Sequence, residues 1–419
     1  MARKTALKIL IEYESKKSFI NLLLKEYLRP DFDNRDRGFI TEIVYGVVRN
    51  KRYLDYRISK FSNTKLKKLS PPLINILRMG FYQLDFMDKV PEFAIINESV
   101  KLSEKFCYKS KGMVNGILRN ALNSKKPDNL PLSVKYSFTD EIYELILQQY
   151  SEKTEEILEN LNRKKPMVIR PNTLKINTDE LYAHFPDSDK RKNYLVIDNL
   201  NLIDNKLFSE GYFSVQSISS QAAVEVLDPK ENEFILDSCS APGGKTVYIA
   251  ERMKNTGEIT AVEFYKHRCD LVMKNLNRCG IENTTVLNEN AVEVSFQKKF
   301  DRILIDAPCS GLGTIGGKPD IKWQDFDFAG LTSLQYNILK NVSKYLKKGG
   351  ILVYATCTIN KDENINQIDK FLADNKDFEF YPFEILIDGE IYGQNGYAEI
   401  LPTENNVGFF IAKLRALPC

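Results

Sequence analysis

From about Gln221 to the end of the chain, short apolar segments alternate with longer amphipathic ones, and this alternation restricts the fold more than any other feature. Strands that are regularly separated by helices predict a doubly wound, mostly parallel sheet. Ligands bind to such sheets beyond the carboxyl ends of the strands. We therefore expect functional residues directly after the segments EFILD, TAVE, ILID and LVYAT.

Two further domains are predicted ahead of this region. Residues 1–126 show a succession of amphipathic helical patterns, with apolar residues three and four positions apart, and so predict an all-α domain. Residues 127–215 begin with a proline-containing polar stretch and continue with mixed helical and alternating patterns. They predict a linker and a small α+β domain, which leaves residues 216–419 as the α/β domain.

The composition argues against several classes of protein. The chain has 419 residues, more than one ordinary core accommodates, and 43% of them are hydrophobic, as in a globular protein. Seven scattered cysteines without a CxxC pair argue against a disulfide framework or zinc site, and two isolated histidines argue against histidine-centred chemistry. Charged residues interrupt the N-terminal apolar stretch, so neither a secretory signal nor a membrane span is predicted. We expect a cytoplasmic protein.

The first candidate site is the loop at residues 237–246, DSCSAPGGKT, which follows a predicted strand and opens a predicted helix. Paired glycines let a ligand approach the backbone, and a helix N-terminus favours a carboxylate or phosphate. The loop matches neither a P-loop nor a GxGxxG fingerprint. Glu263 ends the next predicted strand, where an acid accepts hydrogen bonds from the ribose of a nucleoside cofactor. A glycine-capped turn and a surface carboxylate are the simpler interpretations of these two features.

Two cysteines form the second candidate site. Cys309 follows the segment FDRILID and Cys357 follows ILVY, so both are expected at the same sheet edge as Asp306. Partial exposure and loop dipoles favour a thiolate at such positions, whereas a single buried cysteine is usually inert. Three other cysteines lie in helical patterns without such neighbours, and we interpret them as packing residues: Cys107, Cys269 and Cys279.

A cysteine pair beside an aspartate suits methylation at carbon 5 of a cytosine. Carbon 5 is a poor nucleophile until a thiolate adds to carbon 6 and makes the ring enamine-like. Asp306, near ring nitrogen 3 and the exocyclic amine, would stabilise the adduct, and a second cysteine would assist expulsion of the first. The residues alone do not rank Cys309 and Cys357 for these two roles.

Longer segments resemble a known family. LDSCSAPGGKT, FDRILIDAPCSGLGTIGGKPDIKW, LVYATCT and LPTENNVGFFIAKL are similar to successive motifs of the Sun/Fmu (RsmB) family of RNA cytosine-5 methyltransferases. RDRGFITEIVYGVVRNKRYLDYRI and VNGILRNAL resemble the NusB-like RNA-binding domain of that family. The resemblance spans nearly the whole chain. It implies a Rossmann-like class I methyltransferase domain, S-adenosylmethionine (AdoMet) as cofactor, and one cytosine of 16S ribosomal RNA as substrate.

The resemblance also implies residue roles. It makes Cys357 the nucleophile and Cys309 the residue that assists product release, and it places Asp306 beside the methyl donor and the target base. The residues implied in AdoMet binding are Cys239, Ser240, Ala241, Pro242, Gly243, Gly244, Lys245, Glu263, Asn290 and Asp306. The residues implied in RNA binding are Arg170, Asn172, Lys175, Lys318 and Lys322. No metal is implied, and we expect a monomer.

Three features depart from the family pattern. Glu263 and Asn290 stand where relatives often have aspartate, and each keeps a hydrogen-bond acceptor. Gly316 and Gly317 replace basic residues frequent in relatives, so one RNA contact is either missing or supplied by the two RNA-binding lysines that follow.

Three alternatives stay open. The same reaction on transfer RNA is disfavoured by the NusB-like domain, and an inert RNA-binding or antitermination protein is disfavoured by the intact cysteines. A dinucleotide-dependent oxidoreductase is disfavoured because the fingerprint glycines are absent.

Overall fold

The computed structural model describes residues 1–16, 18–28, 32–198, 200–202 and 205–418. Cys419, one of the seven cysteines, lies outside the described residues. The chain divides into two compact units, of which the first contains Met1–Asn162 and Gly317–Gln324 and the second contains Arg163–Gly316 and Asp325–Cys419. The first three helices of the predicted middle domain thus belong to the first unit, and its other two helices and its strands belong to the second. The division into domains at 1–126, 127–215 and 216–419 stays a prediction.

The first unit is helical, as predicted for its N-terminal part. Its helices α1 to α10 span Ala2–Lys16, Ile20–Tyr27, Asn34–Arg49, Lys51–Phe61, Pro71–Phe86, Glu92–Phe106, Lys111–Leu122, Leu132–Lys135, Asp140–Tyr150 and Thr154–Asn162. Buried aliphatic side chains of α1, α3, α5 and α7 form one continuous core. Helices α3 and α5 approach closely because Gly46 lacks a Cβ, which would overlap the ring of Tyr82.

Local sequence explains two helix ends in this unit. Asn50 separates α3 from α4 inside a stretch whose apolar pattern is continuously helical. Its Nδ2 donates to the carbonyl oxygen of Gly46 at 2.9 Å, and asparagine side chains that bond to nearby backbone compete with helical geometry. Helix α5 begins after Ser70, with Pro71 in its first turn, where an N–H has no intrahelical partner in any case.

The segment Gly317–Gln324 packs within the first unit although it lies far along the chain. It contains a 3₁₀ helix, Pro319–Trp323, which contacts α3, and the indole N–H of Trp323 donates to the carbonyl oxygen of Val48 at 2.8 Å. Lys322 is fully buried. Its ammonium donates to three backbone carbonyls, those of Arg49 (2.8 Å), Tyr136 (3.0 Å) and Ser137 (3.0 Å). The prediction that Lys322 binds RNA is therefore wrong, because its side chain is buried and its Nζ is hydrogen-bonded to backbone inside the protein.

We expect Lys322→Ala to destabilise the first unit by about 2 kcal/mol or more, because buried carbonyl groups lose their donor. The only tryptophan of the chain, Trp323, adjoins this site, so its fluorescence during urea denaturation reports on the unit. Lys318→Ala is the matched control, since Lys318 is exposed, and we expect it to leave the urea midpoint unchanged. Equal midpoints for the two variants would contradict the structural role of Lys322.

In the second unit, the first part forms a small antiparallel sheet with the strand order β2, β3, β1, β4. The strands β1 to β4 span Met167–Pro171, Asp189–Lys190, Leu195–Ile197 and Phe213–Val215, and the helices α11 and α12 span Thr178–His184 and Lys206–Ser209. Ile169, Leu181 and Phe213 are buried in its core. Helix α11 begins with a capping box, in which Asn177 and Glu180 exchange side-chain-to-backbone hydrogen bonds of 2.9 Å. The predicted α+β character is confirmed.

The main sheet of the second unit has eight strands. Its strands β5 to β10, β13 and β14 span Phe234–Asp237, Glu258–Val262, Thr284–Leu287, Phe300–Asp306, Leu346–Thr356, Phe378–Phe380, Tyr397–Ile400 and Phe409–Ala416, and a separate hairpin contains β11 (Ile385–Ile387) and β12 (Glu390–Tyr392). The order is β7, β6, β5, β8, β9, β14, β10, with β13 beside β14. Strands β5 to β9 are parallel, and β14 is antiparallel to β9.

Helices cover both faces of this sheet. The helices α13 to α17 span Ile218–Leu227, Gly244–Arg252, Lys266–Cys279, Phe328–Val342 and Ile365–Asp374. Leu304 of β8 packs in the cluster that contains α13, α14 and α15, whereas its neighbours Ile303 and Ile305 pack in the cluster that contains α16 and α17. Alternate residues of one strand thus enter opposite cores, and the predicted doubly wound fold is confirmed. Within the described part of the chain, no helix combines the length and the apolar content needed to cross a bilayer.

Candidate active site

The residues predicted to take part in the reaction lie at the carboxyl ends of neighbouring strands of the main sheet. Strand β5 lies between β6 and β8, and the strand order changes direction there, which is where such sheets bind ligands. Asp237 ends β5, Asp306 ends β8, and Thr356 ends β9 directly before Cys357. Asp306 is in register with Ala355 of the adjacent strand. Parallel pairing therefore brings together residues that are distant along the chain.

The glycine loop turns tightly from β5 into α14. Gly243 has a φ of +102°, which is open to glycine without strain, and its N–H donates to the carbonyl oxygen of Ser240 at 2.7 Å. The Ala241–Pro242 peptide bond is cis. A Cβ on Gly244, the first residue of α14, would have no described protein atom within 4 Å. The N-terminus of α14 therefore faces open space that a ligand can occupy.

A cavity of about 230 Å³ lies against this loop. It is lined by Val215, Gln216, Ser217, Ser220, Asp237, Cys239, Ser240, Ala241, Pro242, Gly244, Lys245 and Asp306. Asp237 is fully buried, its Oδ2 accepts from the Thr246 hydroxyl at 2.7 Å, and its Oδ1 has no hydrogen-bond partner among the described residues. Burial raises the pKa of Asp237 to about 7. An ammonium group on a ligand would satisfy this carboxylate, so the cavity fits an amino-acid moiety such as that of AdoMet.

Sequence reasoning missed the wall of this cavity that comes from β4 and the start of α13. Four of the lining residues belong to it: Val215, Gln216, Ser217 and Ser220. Ser217 caps α13 by accepting from the N–H of Ser220 at 3.3 Å, and this is its only recognisable sequence signal. A cap signal predicts a helix start and carries no information about a cofactor. Only the packing of α13 beside the glycine loop identifies these residues.

Two predicted cofactor residues lie at neighbouring strand ends outside the lining of that cavity. Glu263 follows β6, is buried, and lies 3.6 Å from the guanidinium of Arg268. Asn290 follows β7, and its Oδ1 accepts from the N–H of Val292 at 3.1 Å. Phe264, directly after Glu263, is 58% exposed, and sequence reasoning did not select it. Contacts of Glu263 with ribose and of Asn290 with adenine stay predictions.

Lys245 and Asp306 form an ion pair at the floor of the site, with Nζ and Oδ2 2.7 Å apart. Both side chains are largely buried. Burial alone would lower the pKa of Lys245, but Asp306, its hydrogen bond and the nearby Cys357 together raise that pKa. Lys245 is therefore a cation that the ion pair with Asp306 holds in place between the glycine loop and the cysteines.

The sulfur atoms of Cys309 and Cys357 lie 3.4 Å apart. This is hydrogen-bond distance for thiols, and it is longer than the roughly 2.05 Å of a disulfide bond. Both residues are partly exposed, so a substrate can reach the pair. The hydrogen bond with Cys357 and burial raise the pKa of Cys309 well above its usual range. The structure thus brings together the two thiols that sequence reasoning selected, beside Lys245 and Asp306.

Glu363 is a buried residue behind this pair that sequence reasoning missed. It follows the ATCT segment at the position before Asn364, in a polar stretch without periodicity. Its carboxylate accepts hydrogen bonds from both the backbone and the hydroxyl of Ser310, which directly follows Cys309. No local pattern distinguishes it from the exposed acids of the chain.

The structure corrects the predicted RNA-binding segment at β1. Arg170 is 2% exposed and forms an ion pair with Glu251, in which Nη2 and Oε1 are 3.1 Å apart. Asn172 is fully buried, and its Nδ2 donates to the backbone carbonyls of Gly211 (2.9 Å) and Cys279 (2.8 Å). Both side chains connect the small sheet to helices that cover the main sheet, α14 for Arg170 and α15 for Asn172, and the prediction that they contact RNA is wrong. Lys175 is exposed, and RNA binding by Lys175 and by the exposed Lys318 stays a prediction.

The doubly wound sheet, the glycine loop and the two thiols beside an ion pair define the second unit as the catalytic part of a methyltransferase with a Rossmann-like domain. Residues 224–415 match the family model of 16S rRNA methyltransferase RsmB/F, residues 1–123 match the NusB family, and residues 142–191 match the ferredoxin-like domain of RsmF/B-like methyltransferases. The chain belongs to the RsmB/F methyltransferase family. The resemblance found in the sequence motifs is confirmed.

Individual proteins similar to this chain agree with this assignment, two of them over nearly its full length. The chain is 34% identical over 439 residues to the probable ribosomal RNA small subunit methyltransferase B of Bacillus subtilis, covering 99% of this chain and 98% of that protein. The crystal structure of PH0851 is 25% identical and superposes with a TM-score of 0.81 over 98% of both chains. A methyltransferase homolog protein from Pyrococcus horikoshii is 28% identical, with a TM-score of 0.60, over 70% of this chain and 100% of its own.

Proposed function

We propose that this chain transfers a methyl group from AdoMet to carbon 5 of one cytosine in 16S ribosomal RNA, with Cys357 as nucleophile. The observation that carries the proposal is the pair of thiols 3.4 Å apart at the ends of two parallel strands, beside the ion pair of Lys245 and Asp306. The names of the curated relatives and the match to the NusB family support ribosomal RNA as the substrate.

AdoMet supplies a methyl group on a positively charged sulfur. We propose that the cavity at the glycine loop holds its methionine part, with Asp237 beside the ammonium and the N-terminus of α14 beside the carboxylate. In this proposal Glu263 accepts hydrogen bonds from the ribose hydroxyls, and the exposed Phe264, the next residue, supplies an aromatic surface. Asp306, the partner of Lys245, also lines this cavity.

The electrostatic surroundings of the two thiols differ, and this supports Cys357 as the nucleophile. The ammonium of Lys245 interacts favourably with an ionised Cys357, because this cysteine is among the groups that raise the pKa of Lys245. The pKa of Cys309, by contrast, is raised well above its usual range by its hydrogen bond with Cys357 and by burial. The thiolate of Cys357 therefore adds to carbon 6 of the cytosine, and carbon 5 gains the electron density that methylation requires.

Cys309 assists the release of the methylated base. After methylation, the proton on carbon 5 leaves to solvent, its bonding electrons form the C5–C6 double bond, and the bond between carbon 6 and the Cys357 sulfur breaks. The electrons of that bond return to the sulfur as a thiolate. The Cys309 S–H, at hydrogen-bond distance, stabilises the departing thiolate.

The test uses the full chain with methyl-labelled AdoMet, 16S RNA transcribed in vitro and, in a separate reaction, unmodified transfer RNA. We expect label in the 16S RNA, at a single cytosine that bisulfite sequencing identifies as 5-methylcytosine. Label in transfer RNA with none in 16S RNA would replace the proposed substrate. The absence of label from both RNAs and from small-subunit precursors would overturn the proposal.

A further inference from the structure

We propose that Glu363 is a positioning residue for the two-cysteine site, whose buried carboxylate holds the loop of Cys309 in place beside Cys357 for product release. This inference rests on the proposed function and adds to it a residue that neither reacts nor touches the substrate. Four hydrogen bonds to the carboxylate and a chain of hydroxyl groups support this role.

Glu363 is fully buried, and the donors that contact its carboxylate are neutral. Oε2 accepts from the backbone N–H of Ser310 at 2.8 Å and from Nε2 of Gln335 at 3.0 Å. Oε1 accepts from the Ser310 hydroxyl at 2.6 Å and from Nδ2 of Asn360 at 3.2 Å. A buried carboxylate needs such donors, and here two of the four come from the residue after Cys309.

The same network reaches the loop of Cys357. The hydroxyl oxygens of Ser310 and Thr358 are 2.7 Å apart, and Thr358 directly follows Cys357. Because the Ser310 hydroxyl hydrogen points to Glu363, the Thr358 hydroxyl is the donor in this contact. Thr358 in turn accepts from the backbone N–H of Asn360 at 3.2 Å. Each cysteine is thus one peptide unit away from a side chain that Glu363 orients.

Gln335 extends this support to a third element. Its Nε2 donates both to Glu363 and, at 2.9 Å, to the carbonyl oxygen of Pro308, the residue before Cys309. The residues on both sides of Cys309 are therefore fixed by the Glu363 carboxylate or by its partner. Cys357 has a separate support, because it follows the long central strand β9. Loss of Glu363 is expected to displace Cys309 more than Cys357.

The charge of Glu363 also acts on the thiols. Its carboxylate is one of the groups that raise the pKa of Cys309, after the hydrogen bond with Cys357 and burial. Cys309 is thereby kept as an S–H group, the form in which it can donate to the departing sulfur. Lys245 has the opposite charge and acts on Cys357. The two cysteines therefore have different charged neighbours, the carboxylate of Glu363 for Cys309 and the ammonium of Lys245 for Cys357.

The test compares Glu363→Gln with the wild-type full chain on 16S RNA transcribed in vitro. Glutamine keeps the shape of the side chain but presents an amide NH₂ where Ser310 requires an acceptor. We expect kcat to fall about a hundredfold, as for a catalytic group misplaced by about 1 Å, while the KM for AdoMet stays near the wild-type value. We also expect a protein–RNA adduct that resists denaturant, because release is slowed more than attack. Glu363→Asp, which keeps the carboxylate, should restore part of the activity.

Glu251→Gln is the matched control, because Glu251 is an equally buried carboxylate that pairs with Arg170 instead of a cysteine loop. It should lower stability without accumulating adduct. If Glu363→Gln fails to fold, Ser310→Ala removes the hydroxyl links and is expected to accumulate adduct by itself. A folded Glu363→Gln with normal kcat, or Ser310→Ala without adduct, would overturn the positioning role. The proposed function fails by a different result, namely methylation by an enzyme without Cys357.

Discussion

Cys357→Ala is expected to abolish methyl transfer, with a loss on the order of 10⁴-fold or more, as for enzymes that lose their nucleophile. Without a thiolate at this position, carbon 6 of the cytosine gains no covalent partner and carbon 5 stays electron-poor. AdoMet binding should stay near normal, because Cys357 is not among the residues that line the cavity at the glycine loop. Label transfer to 16S RNA and calorimetric titration with AdoMet measure the two effects separately.

Cys107→Ala is the matched control for this prediction. Cys107 is also partly buried, but it lies at the end of α6 in the first unit and packs against the helical core. Its substitution should leave methyl transfer at the wild-type rate. Full turnover by Cys357→Ala would show that the nucleophile is a different group and would refute the proposed mechanism.

Cys309→Ala is expected to trap the enzyme on its substrate as a covalent protein–RNA adduct that survives denaturant. Attack by Cys357 does not require a second thiol, whereas expulsion of Cys357 loses the S–H group that lies 3.4 Å from its sulfur. The adduct should amount to most of the enzyme after one round of reaction, and it is measured as a shifted band on a denaturing gel.

The double variant, Cys309→Ala with Cys357→Ala, controls for nonspecific crosslinking and should form no adduct. The adduct of the single variant should also contain the methyl label, because the block follows methyl transfer. Normal turnover without adduct in Cys309→Ala would remove Cys309 from the release step while leaving the assignment of Cys357 intact.

The candidate site was predictable where its signals are local. The glycine loop is recognisable because its paired glycines stand between an apolar segment and an amphipathic one. Each of the two cysteines follows a strand-like segment. The direction of parallel strands then places these segments at one sheet edge. Lys245 and Asp306 were selected for the same reason, although their ion pair was not foreseen.

The predictions of RNA contact failed for a different physical reason. Arg170 and Lys322 have long cationic side chains, and such side chains are usually exposed. In the structure both side chains are buried, and their partners lie far away along the chain. Glu251, the partner of Arg170, is 81 residues away, and Arg49, whose carbonyl accepts from Lys322, is 273 residues away. A sequence pattern records the charge of a side chain and not the hydrogen-bond partners that it meets in the folded chain.

Local patterns in the amino-acid sequence were sufficient to predict the succession of helices and strands, the turn at the glycine loop and the strand ends that carry the two thiols. These features follow from periodicity over a few residues and from the backbone freedom of glycine, which need no distant partner. The tertiary structure decided which charges surround each sulfur, because Glu363 meets Ser310 across 53 residues and Lys245 meets Asp306 across 61. Such contacts exist only when the sheet and its loops have packed, since desolvation and hydrogen bonding act through space and not along the chain.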